Sequence, residues 1–240
     1  MNPKKILLVF LKQALNTADG IFEIFATIPN AKIYQGSKPG ERFLFIKGNR
    51  SDAATLIAHA GTVFDFSGKH HLIEDSDIIH SDSEKYGIGA DDRAGCAILW
   101  LLKDLGHHII VCDYEESTHK DADGNCVGSK YLMREHPDIA QIINDSSFVF
   151  EFDRRLAFGI RKEHYTCYNL AVTQEFCDFI EENTGFTDDN NIGYTDIMEL
   201  CTDVCGANIC VGYSKAHTAK EKISISAFQN TYEVMIKLLQ

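Results

Sequence analysis

The stretch from Asp92 to Tyr114, "DRAGCAILWLLKDLGHHIIVCDY", decides the architecture, because one apolar helix, a glycine stop and one continuously apolar strand follow each other in it directly. "DRAGCAILWLLKDLG" reads as a helix closed by Gly106, and "HHIIVCDY" as a strand. The same alternation extends on both sides. "ATLIAHAG" (54–61) and "SSFVFEFD" (146–153) are short apolar strands, "GSKYLMREH" (128–136) is a helix ended by Pro137, and "TQEFCDFIEENTG" (173–185) is a helix closed by Gly185. Another helix is predicted near "YTDIMELC" (194–201), then a strand "NICVGY" (208–213) and a last helix over 224–239 with Ser224 as N-cap. Toward the N-terminus, Ile6, Leu7, Phe10, Leu11 and Leu15 fall at helical spacing, while "IFEIFATI" (21–28), "AKIYQG" (31–36) and "RFLFIKG" (42–48) read as strands. Apolar strands alternating with helices predict an α/β fold, a three-layer α/β/α sandwich with a central, mostly parallel, mixed sheet buried on both faces. No linker, low-complexity run or repeat divides the 240 residues, so a single domain over 1–240 is expected.

Composition narrows the function. A net charge of -12, from 35 acids against 23 bases, opposes binding to nucleic acid or anionic lipid and favours metal cations or cationic groups. No run is apolar enough to span a bilayer. Lys4 and Lys5 ahead of Ile6–Leu11 have the look of a secretory leader, but Lys12 interrupts it, and an amphipathic first helix fits better. Eight scattered cysteines without a CxxC pair suggest reduced thiols and a cytoplasmic protein; Cys201, Cys205 and Cys210 match no zinc-knuckle spacing.

In open α/β sheets ligands bind beyond the carboxyl ends of the strands, so the residues just after each strand carry the chemistry. His59 follows "TLIA"; Asp113, Glu115 and Glu116 follow "IIVC"; Asp153 ends "FVFEF"; His217 lies beyond "NICVGY"; and Asp91 opens the "GADDRAG" turn. Each alone has an ordinary structural reading, such as Asp91 or Asp92 capping a helix, or Asp153 pairing with Arg154, Arg155 or Arg161. Together, two His and four or five carboxylates at one sheet edge would repel one another unless cations neutralise them. Mixed imidazole and carboxylate donors suit two divalent metal ions, zinc first, with manganese or cobalt as alternatives. Side-chain alternation along the strand further places Asp113 and Glu115 on one face and turns Glu116 elsewhere.

In this order, "IAHAGTV", "GIGADDRAG", "DYEES" with "GSKYL", "FEFDRR" and "YSKAHTAKEKISI" resemble the metal motifs of the co-catalytic zinc exopeptidases, which include peptidase T, aminoacylase and carboxypeptidase relatives and the single-domain zinc aminopeptidases. The resemblance covers residues 56–225 and implies roles at matching positions. His59 and Asp153 would bind one metal, Glu116 and His217 the second, Asp91 would bridge them, and Glu115 would act as general base on a water between them. It implies a metal-dependent amide hydrolase, an aminopeptidase or small-peptide exopeptidase. An N-acyl-amino-acid deacylase, or a degenerate member that binds metal or peptide without turnover, are the alternatives.

The sequence departs from the pattern in three places. Gly61 stands where an Asp usually orients the first metal His, which leaves Asp65 to substitute or the site weakened. "STHKDADGNCV" (117–127) is an insertion read as an acidic surface turn rather than a calcium loop. Only 63 residues lie between Asp153 and His217, too few for the dimerisation domain the larger relatives insert there, so an oxyanion donor would come from a residue such as Tyr165, Tyr194 or Tyr213. "GIGADDRAG" lacks the third glycine of a dinucleotide loop, and its acids would repel phosphate. Thr195 and Asp196 are read as a helix cap or, as the resemblance permits, as support for the site or a contact to a substrate amine. His70, His71, His80, His107, His108 and His119 are expected in solvated turns, with His70 or His71 as reserve ligands, and the "DDNN" run at 188–191 in a solvated loop.

Overall fold

The computed structural model describes residues 2–116, 124–156, 164–168, 172–189 and 193–240. Apolar runs become strands in an eight-stranded sheet of order β1-β2-β6-β3-β7-β10-β8-β9. Its members are β1 (Lys32–Gln35), β2 (Arg42–Ile46), β3 (Thr55–His59), β6 (His108–Cys112), β7 (Val149–Arg154), β8 (His164–Tyr168), β9 (Thr187–Asp188) and β10 (Gly206–Cys210). The centre, β6-β3-β7-β10, is parallel, and β2 and β8 join it antiparallel on either side. The sheet is therefore mixed, as the strand pattern predicts.

Alternation along these strands feeds two cores. Leu44, Leu56, Val111, Phe150 and Ile209 point to one face and pack with helices α1 (Pro3–Leu11), α2 (Asp19–Ala26), α3 (Ala90–Leu102), α6 (Gln174–Thr184) and α8 (Ile225–Leu238). Phe43, Ile57, Ile110 and Val149 point to the other, with α4 (Val127–Glu135), α5 (Pro137–Asn144) and α7 (Asp196–Leu200). That makes three layers. A smaller sheet of β11 (Tyr213–Ser214), β12 (Lys222–Ser224), β5 (Ile78–His80) and β4 (Ile73–Asp75) holds the loop that carries His217.

Three sequence readings are corrected and one is extended. "IFEIFATI" is helix α2, not a strand: Ile21, Phe22 and Phe25 share a buried stripe, and the Phe25 ring meets those of Phe10 and Trp100 edge-on at 5.8 and 5.7 Å. Pro137 ends one helix but also opens α5, because a first-turn proline lacks only an N–H that has no helical partner. His107 and His108 are buried, not solvated; their Nδ1 atoms accept from Ala54 N and Gly48 N and so bind the start of β6 to neighbouring backbone. Asp189, in the "DDNN" run, is gripped by Arg154 at 2.5 Å; residues 190–191 lie outside the described set, as do 117–123 of the insertion and His119 with them. Elsewhere Ser224 caps α8 by accepting from Ala227 N, as expected. Cys96, Cys112, Cys126 and Cys201 are buried free thiols, and among the described residues no helix is long and apolar enough to cross a membrane.

Candidate metal centre

Every strand-end residue singled out from the sequence, except Asp113, lies at one cluster beyond the carboxyl ends of the parallel strands. His59 closes β3 with its ring fully buried, Asp153 lies near the end of β7, and Glu115 and Glu116 follow β6. Asp91 sits in the first turn of α3, where Asp91 and Asp92 depart from helical geometry and Asp92 caps the helix proper by accepting from Gly95 N at 2.8 Å. The His59 Nε2 atom is 3.1 Å from Asp91 Oδ1, 3.6 Å from Asp153 Oδ1 and 4.0 Å from Glu115 Oε2. The other Asp91 oxygen, Oδ2, is 3.0 Å from His217 Nε2, which lies 2.5 Å from Glu116 Oε1. Two donor triads thus share one carboxylate: His59, Asp91 and Asp153, and Asp91, Glu116 and His217, each with its donor atoms within 4.8 Å of one another. Glu115 also forms a triad of that size with His59 and Glu116.

Side-chain alternation does not extend through this segment. β6 ends at Cys112 and Tyr114 is left-handed (φ 52°), so Asp113 and Glu115 part company. Asp113 takes a structural ion pair with Arg42, whose guanidinium also stacks on Phe22, while Glu115 and Glu116 both line the cavity.

The electrostatics follow from burial. Burial pushes the Glu115 carboxyl well above the usual range; His59 pulls against this, and Asp153 and Glu116 add to it. Burial, with Asp91 beside it, raises Asp153 to about 7. Burial opposes charge on His59, yet Asp153, Asp91 and Glu115 outweigh it and raise the imidazole well above its ordinary value. His217, hydrogen-bonded to Asp91 and Glu116, rises to about 10. Asp91, hydrogen-bonded to both His217 and His59, is instead held below the usual carboxylate range against its own burial, so the two imidazoles supply the positive charge that the shared carboxylate meets. The donor chemistry fits divalent cations: two inward imidazole nitrogens and three carboxylates, in two sets that share the Asp91 carboxylate through its two oxygens.

Residues around the cluster fix it. Tyr213 donates to Asp153 Oδ1 at 2.8 Å and Thr195 to Asp153 Oδ2 at 3.4 Å, so Thr195 supports the site rather than capping α7 through its side chain. Beneath them, Asn208 donates to Glu151 at 2.9 Å and Ser129 to the buried Asp196 at 2.6 Å. Tyr165 points elsewhere, toward Cys177 and Glu181. His70 bonds Leu11 O and His71 faces Asp82 on the surface, so neither is in reach as a ligand. Asp65 is exposed and does not replace the missing Asp at 61: His59 Nδ1 is buried with no partner among the described residues. Glu221, which sequence reading passed over, is fully buried and accepts from Ile88 N, Gly89 N and Asp91 N at 2.9, 2.6 and 3.1 Å. Its position four residues after His217 was the available signal.

The cluster opens on a cavity of about 240 Å³, lined by Glu115, Glu116, Arg155, Tyr194, Tyr213 and His217 among others.

No family model matches the sequence, and no curated protein matches it. Solved structures do match. The aminopeptidase PepT of Bacillus cereus aligns with a TM-score of 0.67 and 12% identity over all of this chain and 98% of that chain. A tripeptidase of Staphylococcus aureus aligns at 0.65 and 13% over 100% and 98% of the two chains. A glutaminyl cyclase from an Acidobacteriales bacterium aligns at 0.61 and 12% over 99% and 90%, so the shared fold does not by itself fix the reaction. The chain has the fold of the metallo-exopeptidases, the group its five ordered motifs resemble.

Proposed function

We propose that the chain is a metal-dependent amide hydrolase, an aminopeptidase or small-peptide exopeptidase of the cytoplasm, built as one catalytic domain over 1–240 without an inserted dimerisation domain. The observation that carries this is Asp91, whose two oxygens face two different imidazoles. In this reading His59, Asp91 and Asp153 hold one divalent cation and Asp91, Glu116 and His217 the other, with zinc favoured over manganese or cobalt. Two cations bound there would polarise a scissile carbonyl and acidify the attacking water. Glu115, buried at the cavity wall, takes that water's proton and returns it to the leaving amine. Tyr213 donates to Asp153, Tyr165 lies away from the cavity, and Tyr194, exposed at the cavity wall, donates to Glu199, so Tyr194 would meet a developing oxyanion only by giving up that partner.

One observation speaks to the substrate and keeps the deacylase reading in play. Arg155 lines the cavity, is exposed, and pairs with no acid among the described residues, whereas Arg154 beside it is held by Asp189. A small peptide or an N-acyl amino acid with a free carboxylate would find a charge-assisted partner there. The test is zinc stoichiometry together with hydrolysis of an aminoacyl anilide, a dipeptide, its amide and an N-acyl amino acid. Two zinc ions per chain with hydrolysis in this panel is the expected result. Tight binding of two zinc ions with every amide left intact would make the chain a metal-binding protein without turnover.

The unpartnered His59 Nδ1 yields a second expectation. An acid that orients a metal-binding imidazole is typically worth about 10–100-fold in affinity or activity. Gly61→Asp should therefore tighten zinc binding, read by chelator competition; unchanged affinity would mean that the aspartate does not reach the ring.

A further inference from the structure

We propose that Glu221 is the positioning residue for the shared carboxylate, so that both donor triads depend on a side chain that belongs to neither. This rests on the metal-site reading above. Glu221 has no solvent exposure, and its two oxygens divide the work: Oε2 accepts from Ile88 N and Gly89 N, and Oε1 from Asp91 N. The turn needs such an acceptor, because Gly89 is left-handed (φ 65°) and Asp91 and Asp92 are not helical, so these N–H groups have no place in a regular helix ladder. Packing there is close. A Cβ on Gly87 would lie 2.7 Å from both Glu221 Cβ and Oε2, so the main chain is seated directly against this carboxylate.

The same short loop reaches Asp91 a second time, through His217 Nε2 at 3.0 Å from Oδ2. Asp91 is thus held by its main chain through Glu221 and met at its carboxylate by His217. β12, which follows Glu221, anchors the loop by pairing with β5. With the amide of Asp91 fixed, Oδ1 is directed to His59 and Oδ2 to His217; with it released, neither oxygen has a defined aim. A ligand to one metal, lost, weakens one binding step. Glu221, lost, weakens two.

A purely structural Glu221 would lower the melting temperature and leave zinc affinity of the folded protein unchanged, which separates the two roles. The experiment is a calorimetric zinc titration well below the melting temperature of wild type and Glu221→Gln, a replacement of equal size that retains one acceptor oxygen. Both binding steps of the variant are expected to weaken about 10–100-fold, the usual cost of losing a group that orients a ligand. Amide exchange at Ile88–Asp91 should accelerate in parallel. Gly87→Ala, which presses on the same carboxylate from the main-chain side, should weaken both steps as well, and covers the case in which Glu221→Gln does not fold. Ile139→Val, in the core on the opposite face of the sheet, should keep wild-type zinc affinity. Wild-type affinity at both steps in a folded Glu221→Gln or Gly87→Ala protein would overturn the proposal. A wild-type protein that binds no zinc would instead overturn the metal-site reading beneath it.

Discussion

Glu115→Gln is expected to lower kcat for amide hydrolysis by about 10²–10⁴-fold, the range a positioned general base contributes, while both zinc ions stay bound. The expectation rests on how the two adjacent glutamates are used. Glu116 lies 2.5 Å from His217, which itself contacts Asp91, so its carboxylate belongs to a triad. Glu115 stands farther off, 4.0 Å from His59, behind Asp91 and Asp153 at 3.1 and 3.6 Å. It is nevertheless buried at the cavity wall, in surroundings that raise its affinity for a proton. A carboxylate that accepts a proton readily and has no stronger partner is suited to proton transfer. The amide of the variant keeps the shape and loses the basicity. Glu116→Gln should behave the other way, with weakened zinc binding as the primary defect. Because Glu115 also lies within ligand reach of His59 and Glu116, zinc content is the decisive reading. Loss of zinc from Glu115→Gln would move Glu115 into the ligand set, and activity that survives the substitution would remove it from the chemistry altogether.

The site was more legible in the sequence than its supports were. His59, Glu115, Glu116 and Asp153 each follow or end an apolar run, and a polar residue at a strand's carboxyl end is a local signal that the parallel topology turns into a convergent one. The central strands and the long helices were legible for a similar reason, since burial on both faces leaves a continuous apolar record. α2 was not, because "IFEIFATI" satisfies a two-residue and a 3.6-residue period at once and only the packing of Phe25 against Phe10 and Trp100 decides. The second sheet is built from strands of two or three residues, too short to carry a period. Glu221 is the clearest case of what local reading omits. Its neighbours Lys220 and Lys222 suggest a solvated turn, and its partner Asp91 lies 130 residues away in the chain. The orphaned His59 Nδ1 shows the opposite: the absence of an acid at Gly61 was visible in sequence, but only the fold shows that Asp65 stays at the surface.

Zinc loading is expected to raise the melting temperature of the chelator-treated protein by roughly 8–16 °C for each site at which free zinc is about a thousand times the dissociation constant. The figure combines about 4 kcal/mol of linkage stabilisation at that excess with the roughly 2–4 °C per kcal/mol found for chains of this size. The physical source is the charge cluster. Asp91, Glu115, Glu116 and Asp153 are drawn together by the ends of two strands and one helix turn, and without cations only the two imidazoles stand against them. Unfolding separates these carboxylates, so their repulsion counts against the native state until positive charge is supplied. The sign of the pH dependence follows from the ligands. Binding needs neutral imidazoles and ionised carboxylates, so protons compete with zinc, and the stabilisation should shrink as the pH is lowered. Magnesium, which prefers an octahedral shell of oxygen and dehydrates reluctantly, should stabilise far less at the same concentration. Scanning calorimetry with zinc, magnesium and chelator at two pH values reads all three expectations. Equal stabilisation by magnesium and zinc would show that the cluster responds to charge alone, and a melting temperature indifferent to zinc would remove the metal from the account of this fold.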